Sequence, residues 1–225
     1  MNIRFVFLVS LLALGLSFGF AQTGNTSAAP PTALQNYWSG RNLEARDRTG
    51  AERYYNEAVR ICLDEIARNA GTSDTYAALT MTLRRQEKFT EAVQQGERGL
   101  RIFPNDYRIV ETLGESWFHL YNYENSLRYM QRYVNAVPQG DRTSVAYFYI
   151  GETYRLQQKY LRADIAYTTA VTLEPSSALW WFRLGQVREA ARDLTPAREA
   201  YERALRLEPG HREASAGLQR VRQPL

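Results

Sequence analysis

The sequence predicts an all-α fold in which pairs of antiparallel helices repeat along the chain. Two prolines, Pro175 and Pro209, lie 34 residues apart, and so do two glycines, Gly151 and Gly185. The same interval separates Ala163 from Ala197, Tyr167 from Tyr201 and Ala170 from Ala204. Within each unit the apolar residues recur at intervals of three and four, as they do along one face of an α-helix. A period of 34 with two helical segments per unit is typical of helical repeat arrays.

The recurring residues resemble those of the tetratricopeptide repeat. The matching pairs are Tyr147/Trp181, Ile150/Leu184, Gly151/Gly185, Ala163/Ala197, Tyr167/Tyr201, Ala170/Ala204 and Pro175/Pro209. One position departs, because Arg188 replaces Tyr154 of the preceding unit where the family usually has a large apolar residue. The resemblance implies a right-handed superhelix of antiparallel helix pairs and a function in binding. It does not name a partner.

The period divides most of the chain into units. We predict repeats at residues 73–106, 107–143, 144–177 and 178–210, with a degenerate helix pair before them at 33–72 and a capping helix and tail after them at 211–225. Three residues beyond the period lie in the stretch 139–143. The glycines at 114, 151 and 185 are expected where two helices approach too closely for a side chain. In the last helix, Ala214, Leu218 and Val221 are expected to cover the end of the core.

The first 32 residues have a different composition. A positive start is followed by sixteen uncharged residues, Phe5 to Phe20, and then by the small residue Ala21, which predicts a secretory signal peptide at 1–21. An uncleaved membrane anchor is the alternative. Residues 22–32 are rich in Thr, Ser, Ala and Pro and are predicted to be a flexible linker. A cleaved signal predicts a periplasmic or secreted protein.

The chain carries little that points to catalysis. We find no nucleophile elbow, phosphate loop or dinucleotide fingerprint, so we predict neither an enzyme nor a cofactor. The histidines, His119 and His211, are far apart in sequence, and no metal site is predicted. The net charge of +4 is too small to indicate nucleic-acid binding. The single cysteine, Cys62, is either a buried thiol or the site of an intermolecular disulfide.

The resemblance also implies a concave groove lined by the first helix of each pair. The groove face lies roughly 130° around each helix from the core stripe, by the 100° per residue of an α-helix. On this face we predict a partner-binding site formed by Glu111, Glu115, Phe118, Phe148, Glu152, Arg155, Phe182 and Gln186. Phenylalanines beside carboxylates favour a hydrophobic and basic protein segment. In the alternative interpretation, the phenylalanines pack against the neighbouring repeat.

Two functions of different classes follow from these observations. The first is a non-catalytic scaffold or adaptor in the bacterial cell envelope, which binds a segment of a partner protein in the groove. The alternative is a periplasmic accessory protein of a solute transporter, which binds or passes on a small ligand. An envelope enzyme or a peptidoglycan-binding protein is a weaker third possibility.

Overall fold

The computed structural model describes residues 31–222, which form eleven α-helices. The predicted signal peptide lies outside the described residues, as does almost all of the predicted linker. The helices are α1 (Ala33–Leu43), α2 (Arg48–Ala67), α3 (Ser73–Arg85), α4 (Phe89–Ile102), α5 (Tyr107–His119), α6 (Tyr123–Ala136), α7 (Thr143–Leu156), α8 (Tyr160–Leu173), α9 (Ala178–Ala190), α10 (Leu194–Leu207) and α11 (Arg212–Arg222). No helix among them is both long enough and apolar enough to span a membrane.

The helices pack in sequence as antiparallel pairs, and each pair stacks on the next. The first helices of successive pairs also touch one another, α1 with α3, α3 with α5 and α5 with α7. Among the described helices, no comparable contact joins two successive second helices. The first helices therefore lie on the inner side of the curve, and the second helices lie on the outer side.

The repeated glycines lie where a helix pair closes. A Cβ atom added to Gly151 would lie 2.7 Å from the ring of Tyr167, and one added to Gly185 would lie 2.6 Å from the ring of Tyr201. At Gly114 the neighbour is Met130, at 2.9 Å. These distances are shorter than carbon atoms tolerate, which confirms that glycine is needed for the close approach of the two helices.

Arg188 is accommodated by polar partners, although its position usually holds an apolar residue. Its Nε donates to the carboxylate of Asp164 at 2.6 Å, and its Nη2 donates to Thr168 Oγ1 at 3.2 Å. Both partners lie on α8, the second helix of the preceding pair. Arg188 therefore joins two repeats by hydrogen bonds where an aromatic ring would join them by packing.

The C-terminal helix α11 closes the core as expected. Ala214 and Leu218 are buried and pack with Phe182, Tyr201 and Ala204 of the last pair, and Val221 packs against the same cluster. Cys62 is fully buried in another cluster, and burial raises the pKa of its thiol to about 12. A buried thiol is the interpretation that this environment supports.

The three residues in excess of the 34-residue period lengthen the connection between α6 and α7. Two backbone hydrogen bonds within the connection form successive turns: Gly140 N–H donates to the Val137 carbonyl, and Thr143 N–H donates to the Gly140 carbonyl. The Thr143 hydroxyl also donates to the Val137 carbonyl at 2.7 Å. This connection directs Arg142 toward the inner face of α5.

Candidate functional site

A cavity of about 950 Å³ opens on the inner face at the N-terminal half of the array. Helices α1, α3 and α5 line it, together with the connections that follow α4 and α6. The principal apolar side chains in its wall are Tyr37, Trp38, Met81, Ile102, Phe103, Tyr107, Tyr133 and Val137. A cavity of this size with a mostly apolar wall is what ligand and peptide sites commonly present.

The mouth of the cavity carries the most exposed apolar side chains of its wall. Trp38 is 49% exposed and Ile102 is 55% exposed. The Trp38 ring meets Tyr37 edge-on at 4.9 Å, and the guanidinium of Arg41 lies 5.9 Å from the Trp38 ring centre. Among the described residues, no carboxylate lies within ion-pair distance of Arg41, whose Nη1 donates only a long bond of 3.4 Å to Tyr37.

A network of two arginines and two glutamates lies at the wall of the cavity, where Arg84, Glu111 and Arg142 belong to the lining and Glu115 is buried. Arg142 donates to Glu111 Oε1 through Nε at 3.0 Å and through Nη2 at 2.9 Å, and it also contacts Glu115. Arg84 pairs with the other oxygen of Glu115 at 3.1 Å. The four charges cancel, so the network is electrically neutral when both carboxyls are ionised.

Burial and the neighbouring Glu115 raise the pKa of Glu111 above its usual range. Burial acts on Glu115 in the same direction, but the charge of Arg84, a hydrogen bond with Glu111 and the charge of Arg142 together outweigh it and lower the pKa of that carboxyl. The two carboxyls are therefore unequal, and Glu111 takes up a proton first as the pH falls.

The carboxylates of the predicted partner-binding site are not available to a basic partner. Glu111 and Glu115 are buried against arginines, and Glu152 is also buried. Glu152 accepts from the Tyr167 hydroxyl at 2.5 Å and from Arg155 at 2.7 Å, and Arg183 lies 3.0 Å away. Arg183 also donates to Gln186 at 2.8 Å. Each polar residue of the predicted site thus has an ion-pair or hydrogen-bond partner within the chain, and the basis for a basic partner is lost.

The phenylalanines of the predicted site pack mainly against neighbouring helices, as the alternative interpretation expected. Phe182 is 6% exposed and packs against Tyr201 and His211, with ring centres 6.1 and 4.7 Å away. Phe148 is half-buried and stacks on Trp180 of the next pair at 5.2 Å.

The third phenylalanine, Phe118, is also half-buried, between Tyr123 and Tyr149. An offset of roughly 130° from the core stripe does not leave these three residues exposed, because the next repeat covers that flank of each helix. Of the eight predicted site residues, only Glu111 lines the cavity. A role of the others in partner binding stays a prediction.

Sequence reasoning missed most of the cavity wall. Trp38 and Arg41 belong to the first helix pair, which matches the repeat pattern least well. Arg142 lies in the stretch 139–143, which is three residues longer than the 34-residue period requires. That extra length is the feature of the sequence that could have pointed to Arg142. This longer connection supplies the cation that pairs with Glu111.

Comparison with known proteins agrees with this architecture. The family model described as tetratricopeptide repeat matches residues 178–211. Protein O-mannosyl-transferase TMTC1 of Mus musculus is 25% identical over 153 residues, which are 68% of this chain but only 13% of that protein. The chain therefore corresponds to a small part of that relative.

Three solved structures show the likeness in three dimensions. A crystal structure of MamA is 21% identical with a TM-score of 0.58, and covers 64% of this chain and 82% of that chain. MamA from Desulfovibrio magneticus RS-1 is 19% identical with a TM-score of 0.63, over 79% and 97% of the two chains. The crystal structure of the APC/C hetero-tetramer Cut9–Hcn1 is 15% identical with a TM-score of 0.61, and the match covers 85% of this chain and 46% of that chain. The fold is an all-α superhelix of the tetratricopeptide-repeat type, which confirms the predicted fold class.

Proposed function

We propose that this protein is a non-catalytic scaffold that binds a hydrophobic segment of a partner protein in the cavity on its inner face. The observation that carries the proposal is the cavity itself, with an apolar wall on three first helices and Trp38 and Ile102 exposed at its mouth. Large exposed apolar side chains around a concave site are typical anchors of protein interfaces. The repeat resemblance supports a role in binding.

The charges around the cavity guide the choice of segment. Arg84, Arg108 and Arg142 each pair with carboxylates of this chain, and Arg108 holds both Asp106 and Asp74. Arg41 retains a guanidinium without a carboxylate partner among the described residues. An apolar anchor followed by an acidic or neutral residue fits these groups better than the basic segment first expected.

Site-specific photo-crosslinking tests the proposal. A photoreactive phenylalanine analogue is placed at Trp38 in the cavity, and as a control at Tyr54, which is 42% exposed on α2 and does not line the cavity. We expect the analogue at Trp38 to form a discrete protein adduct, whose cross-linked peptide is identified by mass spectrometry. Equal labelling from both positions, or adducts from Tyr54 alone, would show that the partner does not use the cavity.

The alternative function, presentation of a solute to a transporter, is supported by the cavity volume. About 950 Å³ lies at the upper end of the range of small-molecule sites, roughly 300–1,000 Å³. Native mass spectrometry of the purified chain separates the two functions. A co-purifying small molecule that is lost in Trp38→Ala but retained in Tyr54→Ala would favour solute binding over a protein partner.

We also propose that the protein is exported in a bacterium and acts in the cell envelope. The support is the sequence of residues 1–21, which lie outside the described residues. Intact mass of the protein from the periplasmic fraction is expected to correspond to a chain that begins at Gln22. A mass that retains Met1 to Ala21 in the membrane fraction would indicate an anchor instead.

A further inference from the structure

Helix α8 differs from the other second helices on its outward face. Each second helix has a buried small residue in its first turns, which is Ala163 in α8. The residue two positions later is polar in the other four second helices: Arg53 in α2, Gln94 in α4, Arg128 in α6 and Glu199 in α10. In α8 that position is Ile165, which is 68% exposed. Two residues before the small residue, the other helices carry Thr or Glu, whereas α8 carries Leu161, which is 77% exposed.

The threonines on and beside this outward stripe are hydrogen-bonded within the chain. Thr169 donates its hydroxyl to the Ile165 carbonyl at 2.9 Å, and Thr172 donates to the Thr168 carbonyl at 2.7 Å. Thr168 Oγ1 in turn accepts a hydrogen bond from Arg188. Since the Thr169 and Thr172 hydroxyls donate within the chain, covering them would leave neither donor without an acceptor and would lower the usual cost of burying polar groups.

The spacing of the stripe suits a helix of the same sequence running in the opposite direction. Leu161, Ile165, Thr168 and Thr172 follow one another at intervals of four, three and four, which read the same from either end. This is the 3–4 spacing of the seam between two packed helices. When two copies of α8 are antiparallel, Leu161 of one lies opposite Thr172 of the other, and Ile165 lies opposite Thr168.

The same register brings opposite charges together at both ends of the helix pair. Lys159 precedes α8 and Glu174 follows it, and both are exposed. Lys159 lies two residues before Leu161, and Glu174 lies two residues after Thr172. The antiparallel register that pairs Leu161 with Thr172 therefore also pairs Lys159 of one copy with Glu174 of the second copy, twice by symmetry. A two-fold contact of this kind is self-complementary in shape and in charge.

We infer that the outward face of α8 is a self-association surface, through which two copies of this chain form an antiparallel two-fold dimer. This surface is formed by Leu161, Ile165, Thr168 and Thr172, with Lys159 and Glu174 at its ends. It shares no residue with the cavity wall. A contact made by one helix of 14 residues is about 21 Å long, at the small end of specific interfaces, so the dimer is concentration-dependent.

Sedimentation velocity of the full chain from micromolar to millimolar concentration tests this inference. The mean mass of the wild type is expected to rise toward that of two chains. Ile165→Arg should stay monomeric at every concentration, whereas Gln94→Arg, the matched change on the outward face of α4, should associate like the wild type. A wild type that stays monomeric, or an Ile165→Arg variant that associates normally, would overturn the inference and leave the face to a different partner.

A charge exchange tests the register without changing the apolar stripe. Lys159→Glu should weaken the dimer because it places two carboxylates together at each end, and Lys159→Glu with Glu174→Lys should restore it. If Lys159→Glu leaves the dimer unchanged, the antiparallel register is wrong. This pair of variants remains decisive even if Ile165→Arg fails to fold, which circular dichroism would show.

Discussion

Replacement of Gly151 by leucine tests whether the helix contact at this position limits the stability of the array. A Cβ at Gly151 would lie 2.7, 2.8 and 3.0 Å from three ring atoms of Tyr167. Tyr167 is fully buried, and its hydroxyl donates to the buried carboxylate of Glu152 at 2.5 Å. The ring therefore has little freedom to move aside without breaking that hydrogen bond.

Three contributions set the expected magnitude. Overpacking of a core typically costs about 1–3 kcal/mol. Loss of the Tyr167 hydrogen bond to a charged group costs about 1.5–3 kcal/mol if the ring is displaced. Removal of a glycine from a helix interior returns about 1 kcal/mol. The free energy of unfolding should fall by roughly 1.5–5 kcal/mol in Gly151→Leu, because the steric contributions exceed the gain in helix propensity.

Urea unfolding followed by far-ultraviolet circular dichroism measures the effect. The control is Gly210→Ala, because a Cβ at Gly210 would meet no atom within 4 Å. We expect its free energy of unfolding to stay within about 0.5 kcal/mol of the wild type. If Gly151→Leu unfolds at the same urea concentration as Gly210→Ala, the proposed helix contact does not limit stability and the reasoning is refuted.

Further outcomes follow from the buried groups. Because the pKa of Glu111 is raised in the folded chain, ionisation of Glu111 costs stability as the pH rises from its unfolded pKa, about 4.3, through the raised folded value. Glu111→Gln should therefore gain stability relative to the wild type across that window in urea melts at a series of pH values, and no gain would contradict the raised pKa. Arg142→Met should lower the free energy of unfolding by about 1.5–3 kcal/mol, since it removes charge-assisted hydrogen bonds to Glu111 and Glu115 while Glu111 can take up a proton. An unchanged melt would show that Arg142 is not part of the network in solution. Cys62, buried and with a pKa raised to about 12, should react with iodoacetamide only after urea unfolds the chain, and rapid alkylation of the folded protein would disprove its burial.

The periodic features of this protein could be predicted from the sequence because each depends on near neighbours. Gly151 and Tyr167 belong to one helix pair, so the need for glycine recurs at a fixed interval wherever that pair recurs. The covering role of Leu218 follows from one apolar stripe on an otherwise polar helix. Local periodicity therefore determined the fold class, the helix pairs and the capping helix.

The candidate site depended on contacts that the period does not contain. Phe182 lies on the predicted groove face of its own helix, but His211 and Tyr201 cover it once the next helices are in place. Glu111 was expected to be a free carboxylate, and Arg142, 31 residues later, neutralises it. The angle of a residue around its helix is a property of the local sequence. Its exposure and its net charge are set by whatever packs against it, and for these residues only the tertiary structure decided that.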